Sequence, residues 1–125
     1  KVISLLTEDD KPIEVPFLAN AATPFRYKAI FGKDLLVLFQ TSANDNGTYD
    51  ISFVSELAYI MAMQAKAREG EVDLSNINRD NMLEWLEQFG GFEIFVHANE
   101  IMDVYLGNAN VTSEEKKKVR KRSAS

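Results

Sequence analysis

The sequence predicts a mainly α fold of the α+β class: an N-terminal β-hairpin, four to five helices and a disordered basic C-terminal tail. Three observations carry this. The first 18 residues alternate about a polar turn and hold two of the three prolines. From Thr23 to Leu106 the apolar residues recur with helical period, punctuated by capping residues and glycines. Beyond Thr112 no apolar face remains, and "KKKVRKR" follows at 116–122. At 125 residues the chain supports a single globular domain, 1–111, with residues 112–125 frayed or disordered.

Each element has a local reason. "KVISLL" and "PIEVPFL" flank the turn-forming "TEDDK", which gives a hairpin over roughly 2–6 and 12–18. Pro12 and Pro16 cannot donate ladder hydrogen bonds, so the second strand belongs at an edge. In "NAATPFRYKAIFGKDLLVLFQ", residues 20–40, Thr23 can cap a helix and Pro24 suits its first position. Tyr27, Phe31, Leu35 and Leu38 then share one face, yet Gly32 and Asp34 form a stop and a restart. The punctuation favours two short helices nearly in line over one kinked helix.

"SANDNGTYD" (42–50) is a loop, and Asp50 can cap a helix over about 51–68. That helix turns Val54, Leu57, Ala58, Met61, Ala62 and Ala65 to a core. The polar "REGEVDLSNIN" breaks the pattern before a short helix at about 79–89, which the glycines at 90–91 end. The segment 92–106 reads as one element that stops at Gly107. Phe92, Phe95, Val96 and Met102 lie on one side of it, and Ile94, Ala98, Ile101 and Tyr105 on another. Such a helix is either buried centrally or shares its surface with a partner. Thr112 to Glu115 fits a capping box.

Composition narrows the function classes. Hydrophobic residues make up 46% and charged residues 26%, ordinary for a globular chain and wrong for a disordered one. The absence of cysteine excludes disulfides and thiolate metal sites and fits a reducing cytosol. No apolar run approaches the roughly 20 residues of a membrane span, and no signal-peptide pattern is present. The net charge of −5 is unevenly spread: residues 116–122 hold six of the 14 basic residues. That leaves 8 basic against 19 acidic residues in 1–115, a body charge of −11. A nucleic-acid partner calls for basic surface on the folded part, so the balance argues against one.

Little catalytic chemistry is written here. His97 is the only histidine and sits in an apolar helix, the setting of a structural residue; alone it cannot build a zinc site. Setting Gly47 at the glycine of an EF-hand loop places Phe53 where a bidentate Glu is required, which rules that loop out. No glycine-rich phosphate loop has the right spacing, and no cofactor site is expected. What remains is an aromatic load large for this length. Several helices are apolar over more than half their circumference, which points to self-association or an apolar client. Phe25, Tyr27, Phe31 and Leu35 are candidates for a client or neighbour-subunit face, with Trp85, Ile101 and Tyr105 as a second patch. Each is equally a candidate for the core.

The run "NAATPFRYKAIFGKDLL", "ELAYIMAMQA", "NMLEWLEQFGGFEIFVHANEIMDVYLGN" and "TSEEKKK" resembles the tail assembly chaperones of long, non-contractile-tailed bacteriophages and prophages of Gram-positive hosts. The likeness covers about residues 20–118, and its most specific piece runs from Ala22-Thr23-Pro24 to Phe31-Gly32-Lys33-Asp34. The resemblance implies a non-enzymatic assembly factor in the cytoplasm of the bacterial host. Such proteins bind the long, mostly helical tape measure protein, keep it soluble until the tail tube polymerises around it, and are absent from the mature virion. It also implies a homo-oligomer and a longer form made by ribosomal frameshifting, whose extra domain recruits the major tail tube protein. Lysines 116–118 suit an adenine run on which ribosomes slip. The runner-up is a structural tail-completion or connector protein of the virion; a regulator that binds nucleic acid through the basic tail stands third.

Overall fold

The computed structural model describes residues 1–42 and 50–107. Its fold is mainly α with a small β part. Strands β1 (Val2–Leu6) and β2 (Pro12–Pro16) are antiparallel, with Val2 opposite Pro16 and Leu6 opposite Pro12. Both prolines thus sit at the ends of a strand paired on one side, where a missing donor costs least. The period-2 pattern turns Ile3, Leu5 and Val15 inward. Beyond β1 the chain pairs again: Thr7 bridges Phe89, and Glu8 N donates to Gln88 O over 3.2 Å.

Two helices follow, α1 (Thr23–Phe31) and α2 (Leu35–Ser42). Gly32 ends α1 in the left-handed region at φ 71°, its N–H bonded to Lys28 O. Asp34 restarts the chain, its Oδ1 accepting from Leu36 N at 2.9 Å. The start of α1 differs from the expected cap. Ala22 is the boundary residue, and Thr23 lies inside the first turn with Pro24 behind it. Thr23 Oγ1 instead accepts from Asn20 N and from the buried amide of Gln64, 41 residues further along the chain.

Helix α3 (Ile51–Arg68) is the centre of the molecule. Asp50 caps it through Ser52 N, as its sequence position predicts. Six core positions were expected on one face, but burial runs nearly all round from Phe53 to Ala65. The hairpin, α1, α4, α5 and α6 all pack on this helix, so it has no solvent face to keep polar. Of the two roles left open for 92–106, the central one belongs to α3.

A 3₁₀ turn at Leu74–Asn76 lies in the polar "REGEVDLSNIN" stretch, capped by Asp73. Asn78 then caps α4 (Arg79–Glu87) through Asn81 N. The single 92–106 element divides into α5 (Glu93–Val96) and α6 (Ala98–Leu106). The division falls at His97, whose backbone leaves helical geometry at φ −100°, ψ 15°. Gly107, at φ 81°, ends α6. Residues 43–49 of the expected loop, the Thr112–Glu115 box and the basic tail lie outside the described residues.

Candidate functional site

The core takes up most of the residues that were candidates for a partner face. Tyr27, Leu35, Trp85 and Ile101 are buried in the monomer. Phe31 and Tyr105 are half-buried and engaged within the chain. An aromatic file runs Phe31–Tyr27–Phe53–Phe39–Tyr105, with successive ring centroids 5.1 to 6.0 Å apart. It joins α1, α3, α2 and α6. Trp85 packs on Tyr59 and Phe89 at 5.8 and 5.0 Å. Of the seven residues only Phe25, 77% exposed, stands on the surface. Helical spacing alone does not distinguish a face that meets a partner from one that meets the chain's own central helix.

Two polar clusters organise the packing. Glu56, in the second turn of α3, is 2% exposed. Its Oε1 accepts from the Tyr27 hydroxyl at 2.5 Å, and Lys33 Nζ and Arg79 Nη2 approach its two oxygens at 3.4 and 3.5 Å. One carboxylate therefore links α1, the α1–α2 joint and α4. Burial, then the hydrogen bond to Glu56 and its charge, push the Tyr27 hydroxyl well above its ordinary range. Arg79 also lies over the Phe31 ring, 5.7 Å from its centroid. Further along α3, Gln64 Nε2 donates to Leu18 O and Thr23 Oγ1 while its Oε1 accepts from Arg26. Neither buried residue was anticipated. The available signal was that residues 51–65 offer no polar stripe, so the few polar side chains there had to be satisfied internally.

His97 sits between two carboxylates. Its Nε2 is 3.3 Å from Glu93 Oε2 and its Nδ1 is 2.8 Å from Glu100 Oε1. Glu93 Oε2 also accepts from Leu6 N, and Gly90 N donates to Leu6 O. The histidine thus clasps the α5–α6 joint and, through Glu93, ties α5 to the end of β1. Among the described residues, no group of three or more His, Cys, Asp or Glu side chains is placed to hold a metal.

That clasp holds α5 in an unusual position. Glu93 and Ile94 face inward, while Phe92, Phe95 and Val96 are 77%, 58% and 66% exposed. The two apolar sides read from the sequence part company here. Ile94 and Ile101 line the core with Ala98 and Tyr105 partly covered, whereas the Phe92–Phe95–Val96 side points outward until the break at His97. Beyond the break, Met102 of that same side turns inward. Leu36 and Val37 on α2, and Leu83 on α4, are further exposed aliphatic residues. The described surface therefore carries a fixed apolar ridge on α5 and scattered apolar positions on α1, α2 and α4.

A shallow groove between α3 and α4, about 240 Å³, is lined by Ile51, Ser52, Ser55, Glu56, Arg79, Met82, Leu83 and Leu86. No described helix is long and apolar enough to cross a membrane. Comparison with protein-family models, with curated proteins and with solved structures finds no match to this chain.

Proposed function

We propose that this chain is a non-catalytic phage tail assembly chaperone that binds the tape measure protein and keeps it soluble until the tail tube forms. The observation that carries the reading is the α5 ridge. Three large apolar side chains stand exposed within five residues, on a helix fixed by Glu93, His97 and the core rather than on a loose end. Exposed apolar patches of this kind mark partner surfaces.

Magnitudes favour an apolar client. Each such side chain contributes about 1.5–3 kcal/mol when fully buried. Exposed ion pairs contribute about 0–1 kcal/mol each, so the apolar term dominates any contact made here. A tape measure protein is long and mostly helical, with apolar faces that aggregate when uncovered. A small subunit that repeats one apolar ridge along it would cover those faces, while an acidic body keeps the coat in solution. The order of segments over about residues 20–118, with its likeness to tail assembly chaperones, supplies the rest of the support. In this reading the protein self-associates, works in the bacterial cytoplasm and is left out of the virion, and a frameshifted longer form recruits tube subunits.

The test is co-expression with the tape measure protein of the same genome. The expected result is a soluble tape measure protein that co-purifies with this chain. An insoluble tape measure protein with no co-purification would overturn the reading. Mass spectrometry of purified virions separates it from a structural tail protein, which would be found there.

A further inference from the structure

We infer that the pocket where α1 and the Leu74–Asn76 turn meet the end of α3 is a second binding site, one that takes a carboxylate side chain from an acidic, partly apolar protein segment. Arg26 of α1 and Arg68 of α3 are the charged side chains that line it, and Leu18, Ala67 and Leu74 give it apolar walls. A volume of about 250 Å³ is below the range of drug-sized ligands and suits one or two side chains.

The fold builds this pocket around a buried amide. Gln64 is 3% exposed, and its Nε2 donates to Leu18 O at 2.7 Å and to Thr23 Oγ1 at 2.9 Å. Those two bonds fix the direction of its Oε1, which accepts from Arg26 Nη1 at 2.8 Å. A neutral amide thus positions the guanidinium without neutralising it and occupies only one of its N–H donors. Arg26 is half-buried and Arg68 exposed, and among the described residues no carboxylate is ion-paired with either. Asn20, also in the lining, has its Oδ1 held by Ala22 N at 2.9 Å, which leaves its amide nitrogen as a further donor.

Donors and positive charge call for an anion whose oxygens accept hydrogen bonds, and a guanidinium matches a carboxylate with paired N–H bonds. The apolar walls favour a protein segment over free phosphate, which gains nothing from Leu18 or Leu74. The carboxylates nearest in sequence, Glu69, Glu71 and Asp73, are exposed on the stretch after α3 and do not line the pocket; Asp73 is engaged with Ser75. An acidic segment is repelled over most of this acidic body and attracted here, so charge sets where the contact forms.

The inference stands apart from the chaperone reading, and its test needs no tape measure protein. Two synthetic peptides, one alternating leucine with glutamate and the other leucine with glutamine, are titrated into the ¹⁵N-labelled full chain, with inorganic phosphate as a third probe. The glutamate peptide is expected to shift the Nε–H signals of Arg26 and Arg68 and the amides of 18–20 and 64–68 saturably. It should bind at least about tenfold tighter than the glutamine peptide. Arg68→Gln, a change at an exposed side chain, should weaken the glutamate peptide about fivefold. Adding Arg26→Gln should remove the difference between the peptides while the circular dichroism spectrum is kept. Equal binding of the two peptides, undiminished binding by the Arg68→Gln chain, or shifts confined to α5 would overturn the assignment. Phosphate that saturates the same signals at lower concentration than the glutamate peptide would overturn it in favour of a free anion. Shifts that grow with chain concentration in the absence of peptide would overturn it too, because a second copy would then be the occupant.

Discussion

Tyr27 donates its hydroxyl proton to Glu56 Oε1 over 2.5 Å, joining α1 to the central helix across 29 residues of sequence. Both side chains are buried, so this bond forms an internal latch. Tyr27→Asp sets a second carboxylate against the buried Glu56 and should unfold the chain, seen as lost helical circular dichroism. Tyr27→Phe keeps the ring and removes only the donor, at a cost of about 1–2 kcal/mol by urea titration. A folded Tyr27→Asp chain that merely dissociates from its neighbours would place Tyr27 at an interface instead.

The same latch sets a response to alkali. Burial raises the Tyr27 hydroxyl first, and the Glu56 bond and charge raise it further; burial also raises Tyr59 and Tyr105. Each is protonated in the fold at pH values where the unfolded tyrosine, with an ordinary value of 10.0, already ionises. Their contribution is therefore complete below about pH 10 and is lost as pH rises beyond it. Thermal melts taken from about pH 8 to pH 12 should show the loss, and Tyr27→Phe should make the decline shallower.

Gly32 and Asp34 divide the segment 23–42 into two helices. Gly32 holds φ at 71°, and a Cβ there would meet nothing within 4 Å. Gly32→Ala should thus destabilise through backbone strain alone, by about 1–2 kcal/mol. Asp34→Ala removes an acceptor from the start of α2 and should cost about 1 kcal/mol. Chemical denaturation of the two variants measures both, and an unchanged Gly32→Ala midpoint would contradict the left-handed assignment.

Local chemistry was legible where it acts over a few residues. The first strand, the start of the second at Pro12, the Asp50 cap, the Gly32 stop and the Gly107 stop all follow from side chains adjacent to the backbone they satisfy, whereas the second strand ends at Pro16 and not at 18. Long-range choices were not legible. Tyr27 and Phe92 are both aromatic residues on helical segments, yet one is buried against Glu56 and the other stands in solvent. What separates them is α3, which buries nearly its whole circumference and so draws in the apolar faces of the helices around it. The break at His97 also depends on contacts beyond its own helix. Its partner Glu93 is held by the Leu6 amide, 87 residues earlier in the chain.

The exposed side of α5 is the proposed client surface. Phe92, Phe95 and Val96 make the test clean, because the fold leaves all three largely in solvent and their replacement creates no cavity. The chain carrying Phe92→Ser, Phe95→Ser and Val96→Ser is co-expressed with the tape measure protein beside the unaltered chain, and the tape measure protein recovered in the soluble fraction is measured. The expected result is an unchanged circular dichroism spectrum together with loss of most of the soluble, co-purifying tape measure protein. Undiminished recovery with the triple variant would contradict it.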